Sequence, residues 1–193
     1  MAATSSVIKP DHQTTRKHFI FTEEHERLRE SIRAFVTKEL APHAEEWEET
    51  TFPDSVIRRM GELGFLGLSM PEEYGGQGGD YYANIVLAEE MAHASSGGTA
   101  MGVAVHTDMA MPPIHLFGTE EQKQEWLVPA IKGEKILCLG ITEPDAGSDV
   151  AGIKTRAVLD EATDEYVING SKTYITNGHR ADVIVLVTKT DPD

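Results

Sequence analysis

Apolar residues recur at three- and four-residue spacing through most of the first 134 positions, and a capping residue stands wherever that rhythm begins. Thr22 precedes a run in which Leu28, Ile32, Phe35, Val36 and Leu40 share one face, with Pro42 just beyond, which predicts an amphipathic helix. Pro53-Asp54 opens a second helix with Val56, Ile57, Met60 and Leu63 on one side, and Gly64 stands where such a helix stops. A short apolar link, Phe65 to Met70, leads into Pro71-Glu72-Glu73-Tyr74 and then Gly75-Gly76-Gln77-Gly78-Gly79, an irregular turn. Asp80 caps a third helix to about Ala94. A fourth, from about Thr99 to Phe117, holds Asp108 as its one acidic residue, and a helix apolar on nearly every side belongs in the middle of a bundle. Thr119-Glu120-Glu121-Gln122 is a capping box opening a helix with Trp126, Leu127 and Ile131.

From Lys135 the period changes. Ile136–Ile141, Thr155–Leu159, Tyr166–Ile168, Lys172–Thr176 and Val183–Val187 are short, β-branched and separated by Gly, Asn and Asp, which predicts a sheet of antiparallel neighbours. Asn169-Gly170 is its strongest hairpin signal. Helices followed by strands in separate blocks give an α+β class: a helical domain over 21–134, then a β-domain over 135–193. Residues 1–20 are polar and lack the apolar core of a signal peptide, so they read as a disordered leader.

Composition narrows the function classes. With 40% hydrophobic and 25% charged residues the chain is able to bury a core. Its 17 basic against 32 acidic residues, a net charge of -15, oppose nonspecific binding to nucleic acid or an anionic membrane. No apolar run approaches the roughly 20 residues of a membrane span. The lone Cys138 lies in an apolar strand and suits a core position in a reducing compartment, so a soluble, cytoplasmic protein is expected.

Most motifs have a structural explanation. The run Gly75–Gly79 is followed by no Lys-Ser/Thr pair and reads as a loop packed between helices rather than a phosphate cradle. His93, His106 and His115 form no His-Glu-x-x-His pattern, so no metal site is expected. Ser148 lacks the Gly-x-Ser-x-Gly context of a nucleophile elbow. The segment Thr142-Glu143-Pro144-Asp145-Ala146-Gly147-Ser148-Asp149 gathers hydroxyls and free amides where a strand leaves its sheet, a place for a polar ligand or simply a self-capped turn. If 172–176 is a strand, Tyr174 and Thr176 point to one side of it, offering a ring and a hydroxyl together. A flat isoalloxazine needs such groups: a ring for its face and donors along its polar edge.

This combination resembles the acyl-CoA dehydrogenase family, through Thr142–Asp149, Gly152-Ile153-Lys154 and Tyr174-Ile175-Thr176-Asn177-Gly178. The resemblance extends upstream through Pro71–Gly76, the charge-poor fourth helix, Gly118–Lys123 and Trp126-Leu127, so it covers about Phe21 to Thr190. It implies FAD as cofactor, with Leu139, Ile141 and Thr142 in contact with the flavin and Thr142 bonded to the pyrimidine edge. Ser148 would lie where FAD and the pantetheine arm of the substrate approach each other, Tyr174 would cover one flavin face, and Thr176 would bond near N5. Leu139 stands where relatives often carry an aromatic, and Tyr174 where tryptophan is frequent.

The implied reaction is α,β-dehydrogenation of an acyl-CoA thioester in fatty acid β-oxidation, with hydride passing to flavin N5 and electrons going on to an electron-transfer flavoprotein. The family's general base is a glutamate of a C-terminal helical domain. That domain is expected to be absent here and the β-domain incomplete, so no catalytic residue is assigned in this chain, and a homotetramer is expected only at full length. Glu143 is expected to fix the strand-exit turn rather than act as base. Small residues Gly97, Gly98, Gly102 and Ala104, near Met101 and His106, leave room for an acyl chain or serve close helix packing. The alternatives are an acyl-CoA oxidase or flavin monooxygenase of the same fold, or a noncatalytic acyl-CoA-binding or interaction subunit. The isolated chain is expected to retain FAD weakly or not at all and to catalyse no dehydrogenation.

Overall fold

A computed structural model describes residues 18–191 of the chain; most of the leader expected over 1–20 lies outside them. Thr22 caps α1 (Glu23–Phe35) by accepting from the His25 amide, and His25 returns the contact to the Thr22 amide, a capping box closed by histidine. The His25 ring also meets the Asp80 carboxylate at 2.9 Å, and Asp80 caps α4 (Tyr81–Met91) by accepting from the amides of Tyr82 and Ala83. Two helix starts are therefore tied together. A second tie joins the same helices: Glu90, fully buried on α4, is paired with Arg29 and Arg33 of α1. The short α2 (Ala44–Glu49) and α3 (Asp54–Glu62) lie between them in sequence, and α3 buries Val56, Ile57 and Met60 as its spacing predicts.

The long fourth helix is α5 (Gly97–Ala104), a π-helical stretch Val105–Ala110, and α6 (Met111–Phe117). The same wide turn occurs at Val36–Leu40 after α1 and at Lys123–Leu127 between α7 (Glu120–Gln122) and α8 (Val128–Ile131). In each case the residue before a proline (Ala41, Met111, Val128) donates to the carbonyl five positions back. Proline has no N–H and its ring crowds the carbonyl four positions back, so a wide turn lets Pro42, Pro112 and Pro129 follow without breaking the rod. The glycine loop is structural: Gln77, Gly78 and Gly79 donate their amides to the carbonyls of Gly67, Met70 and Leu68. Those donors are occupied and cradle no phosphate.

Among the described residues the β region has four strands in two pairs. The strands β1 (Leu137–Gly140) and β4 (Val183–Leu186) run parallel, Leu137 opposite Val183. A purely antiparallel set of neighbours does not occur, because the chain between them crosses over before returning. The strands β2 (Arg156–Asp160) and β3 (Glu165–Asn169) form an antiparallel ribbon, Arg156 opposite Asn169. Its turn is not at Asn169-Gly170. It lies at 161–164, where the Asp160 carboxylate accepts from the Ala162 amide and Asp164 takes a left-handed φ of 57°. Gly170 serves a close approach instead, since a Cβ there would sit 2.2 Å from Thr155 Oγ1.

One hydrophobic core runs from the helices into the first strand: Ile32, Ile57, Met60, Val86 and Met111 belong to the same cluster as Ile136 and Leu137. His106 seals the seam. It is fully buried, its Nδ1 accepts from the Leu137 amide at 3.1 Å, and its Nε2 faces the Ala130 carbonyl at 3.1 Å, which fixes a neutral ring with the proton on Nε2. Burial pulls its pKa down to about 4. Cys138 is fully buried beside it in β1.

Candidate functional site

The chain leaves β1 at Gly140 and passes through Ile141 and Thr142 into a tight turn, in which Glu143 and Ala146 exchange backbone hydrogen bonds of 2.9 and 3.2 Å. Glu143 is the centre of this region. Its carboxylate is buried and accepts from the amides of Lys154 at 2.6 Å and Thr155 at 2.9 Å and from Lys172 Nζ at 2.8 Å. The Lys172 ammonium, foremost, and the amides of Lys154 and Thr155 hold the Glu143 carboxyl down at about 2. Three hydrogen bonds thus tie both carboxylate oxygens to the turn and its neighbours. Any stability it contributes is present above the ordinary carboxylate pKa and is lost as pH falls through about 2. Lys172 also donates to the Ile141 carbonyl at 2.8 Å, so one buried ion pair holds the strand exit, the 152–155 segment and the 172 segment together.

The 172–176 segment is not a strand, and Tyr174 and Thr176 therefore do not share a strand face. Lys172 is drawn inward to Glu143, and Tyr174 and Asn177 adopt left-handed φ angles of 54° and 64°, which end any extended run. The expected neighbourhood nevertheless forms by another route: the Thr173 amide donates to the Thr142 carbonyl at 2.9 Å, placing the two motifs side by side. Tyr174 is 92% exposed. A bulky residue with a left-handed backbone and an uncovered ring is unusual, and such outliers concentrate at functional sites. Leu139, Ile141, Thr142 and Thr176 are half-buried, and Ser148 is exposed.

Sequence reasoning missed the two residues that brace this wall of adjoining motifs. Asn177 is buried, and its amide donates to the Gly102 carbonyl of α5 at 2.8 Å and lies 3.4 Å from the Leu137 carbonyl of β1. Arg180 lies 4.1 Å over the Phe52 ring, donates to the Phe52 carbonyl and pairs with Asp54 at 3.3 Å. Asn177 before Gly178 was a readable turn signal; Arg180 carried none. The small residues of the fourth helix divide. Gly97, Ala104 and Met101 line an apolar cavity of about 210 Å³ between α4 and α5, with Asp108 also in its lining. Gly102 and His106 lie elsewhere, against Phe52 and under β1. Asp108 is itself held by Asn84 at 2.7 Å and Thr107 at 2.8 Å. Among the described residues no helix is long and apolar enough to cross a membrane.

The sequence matches the profile of the acyl-CoA dehydrogenase N-terminal domain over residues 22–134 and that of the middle domain over residues 138–193. It is 44% identical over 174 residues to a short-chain specific acyl-CoA dehydrogenase of Clostridium acetobutylicum, covering 90% of this chain and 45% of that protein. The fold is similar to the crystal structure of an acyl-CoA dehydrogenase from Geobacillus kaustophilus, with a TM-score of 0.85 and 43% identity over 92% of this chain and 46% of that one. It is also similar to an acyl-CoA dehydrogenase complexed with FAD from Bacillus anthracis, with a TM-score of 0.82 and 39% identity over 89% of this chain and 29% of that one. The chain thus spans about half the length or less of the proteins it matches. With both domain profiles matched in order and the helical body followed by its short β region, the chain belongs to the acyl-CoA dehydrogenase family.

Proposed function

We propose that this chain forms the N-terminal part of the flavin and substrate platform of an acyl-CoA dehydrogenase that oxidises an acyl-CoA thioester at Cα–Cβ and passes its electrons to an electron-transfer flavoprotein. The observation that carries the reading is Tyr174, held out by a left-handed backbone and uncovered beside Thr142 and Thr176. The residues fit FAD: a flat exposed ring for one face of the isoalloxazine, apolar Leu139 and Ile141 beside it, and the hydroxyls of Thr142 and Thr176 for its polar edge. Bound there, FAD would supply the hydride acceptor. The protein's part is to orient that ring system, to exclude water from one face through Tyr174, and to place Ser148 at the approach of the substrate's pantetheine arm. Glu143 keeps the wall in place as an anion and transfers no proton. The catalytic carboxylate belongs, on this reading, to sequence outside these 193 residues, so the chain alone binds FAD weakly and turns over no acyl-CoA.

Titration of FAD into the chain, followed by the visible flavin bands, tests the proposal. A weak, saturable band shift that disappears in Tyr174→Ala, with no reduction of an artificial electron acceptor by acyl-CoA, is expected. A shift unchanged in Tyr174→Ala contradicts the assigned wall, and a tightly yellow, active preparation contradicts the weak binding and the missing base.

A further inference from the structure

We propose that Asn177 is the positioning residue of the flavin wall: its side-chain amide, and not the left-handed backbone alone, fixes the Tyr174–Thr176 turn against the helical body. The inference rests on the flavin reading for its purpose and on separate geometry for its substance. Asn177 joins three elements. Its Nδ2 donates to the Gly102 carbonyl in α5 at 2.8 Å and reaches the Leu137 carbonyl in β1 at 3.4 Å, while its own carbonyl accepts from the Arg180 and Ala181 amides at 3.0 and 2.9 Å. Gly178 then closes the turn onto Ile175 at 2.8 Å.

Each carbonyl it serves is itself a constraint. Gly102 lies mid-helix with its carbonyl bonded sideways to Asn177, and a Cβ at that position would meet the Phe52 ring at 2.6 Å and Asn177 Oδ1 at 3.2 Å. Arg180 lies over the same Phe52 ring and donates to the Phe52 carbonyl, so helix, ring, guanidinium and turn are linked. Phe52 and Gly102 are far in sequence from Asn177 and Arg180, which share one turn. A turn that contains two left-handed non-glycine residues, Tyr174 and Asn177, relaxes unless its surroundings hold it, and the buried amide supplies that hold.

Asparagine and glycine both tolerate left-handed φ, which separates the amide from the backbone. In Asn177→Gly, hydrogen exchange at Gly178 and Ala181 is expected to speed up by roughly 10-fold or more while the α1 and α4 amides keep their rates. The FAD concentration for half-maximal band shift is expected to rise about 10-fold in the same variant. Wild-type exchange at those amides in Asn177→Gly overturns the proposal. If Asn177→Gly loses its helical circular dichroism, Gly102→Ala decides instead, because it pushes the same contact from the helix side with Asn177 in place; unchanged exchange at Gly178 then overturns it. A wild-type chain that leaves the FAD bands unmoved sinks the flavin reading, and the exchange arm still decides what Asn177 does.

Discussion

The helical body and the β2–β3 ribbon are made of similar side chains and treat them in opposite ways. In α3, Val56, Ile57 and Met60 are buried in a core shared with α1, α4 and α6. In the ribbon, Tyr166, Val167 and Ile168 are half exposed or more, Val158 is 60% exposed, and Ala157 is the one buried residue of its two strands. A two-stranded ribbon has two faces and no layer of its own to cover either, whereas a helix needs only one neighbour for its stripe. The difference teaches where this chain is self-sufficient. The helices and β1 close their own core; the ribbon presents apolar surface that the described residues leave uncovered. The candidate site lies at the boundary, its floor anchored in the closed half and its ring exposed on the open one.

The largest effect is expected where β1 enters the helical core. Leu137→Ala should cost roughly 2–5 kcal/mol in urea unfolding, from lost burial and the cavity left behind. A cost under about 1 kcal/mol would mean that β1 belongs with the exposed ribbon instead. The His106 seam gives the next effect. Its folded pKa of about 4 lies below the unfolded 6.5, so its contribution is complete above pH 6.5 and is lost as pH falls toward 4, a loss of roughly 3 kcal/mol. Unfolding free energies at stepped pH, compared with His106→Asn, isolate that slope, and equal slopes in both proteins would break the assignment. Gly102→Ala tests the contact from helix to site. Helix propensity alone favours alanine by about 1 kcal/mol, but overlap with the Phe52 ring is expected to reverse the sign and destabilise by roughly 1–2 kcal/mol, read from the thermal midpoint. The smallest effect belongs to the ribbon: Val167→Thr should stay within about 0.5 kcal/mol, and a larger loss would reveal burial there.

What could be read from the sequence follows the range of the interactions. Helix starts at Thr22, Asp80 and Thr119 were legible because a cap and its amides lie within three residues. The proline-linked wide turns were readable in principle from Pro42, Pro112 and Pro129, but only contact with the core decides whether the helix ends or continues. Four of the five strand positions were nearly right and 172–176 was not a strand, while the pairing was missed because the parallel partner of Leu137 is Val183 and nothing local selects it. Asn169-Gly170 promised a hairpin by composition, yet the Asp160 side chain formed one with no glycine at all. At the site, Thr142, Ser148, Tyr174 and Thr176 were named from the motif, and the neighbourhood of Thr142 with Tyr174 was anticipated for the wrong reason. Tyr174 lies in a left-handed turn held by Lys172, Glu143 and Asn177, and a left-handed tyrosine has no sequence signature.

The most direct test of the wall is a nitrogen-15 amide map of the chain during FAD titration. The account predicts that the amides of 139–142, 148 and 174–176 shift together with one saturation curve, while the ribbon amides of 156–169 stay in place. Shifts confined to the ribbon, or none at Thr142, Tyr174 and Thr176 when flavin is present in excess, would contradict it.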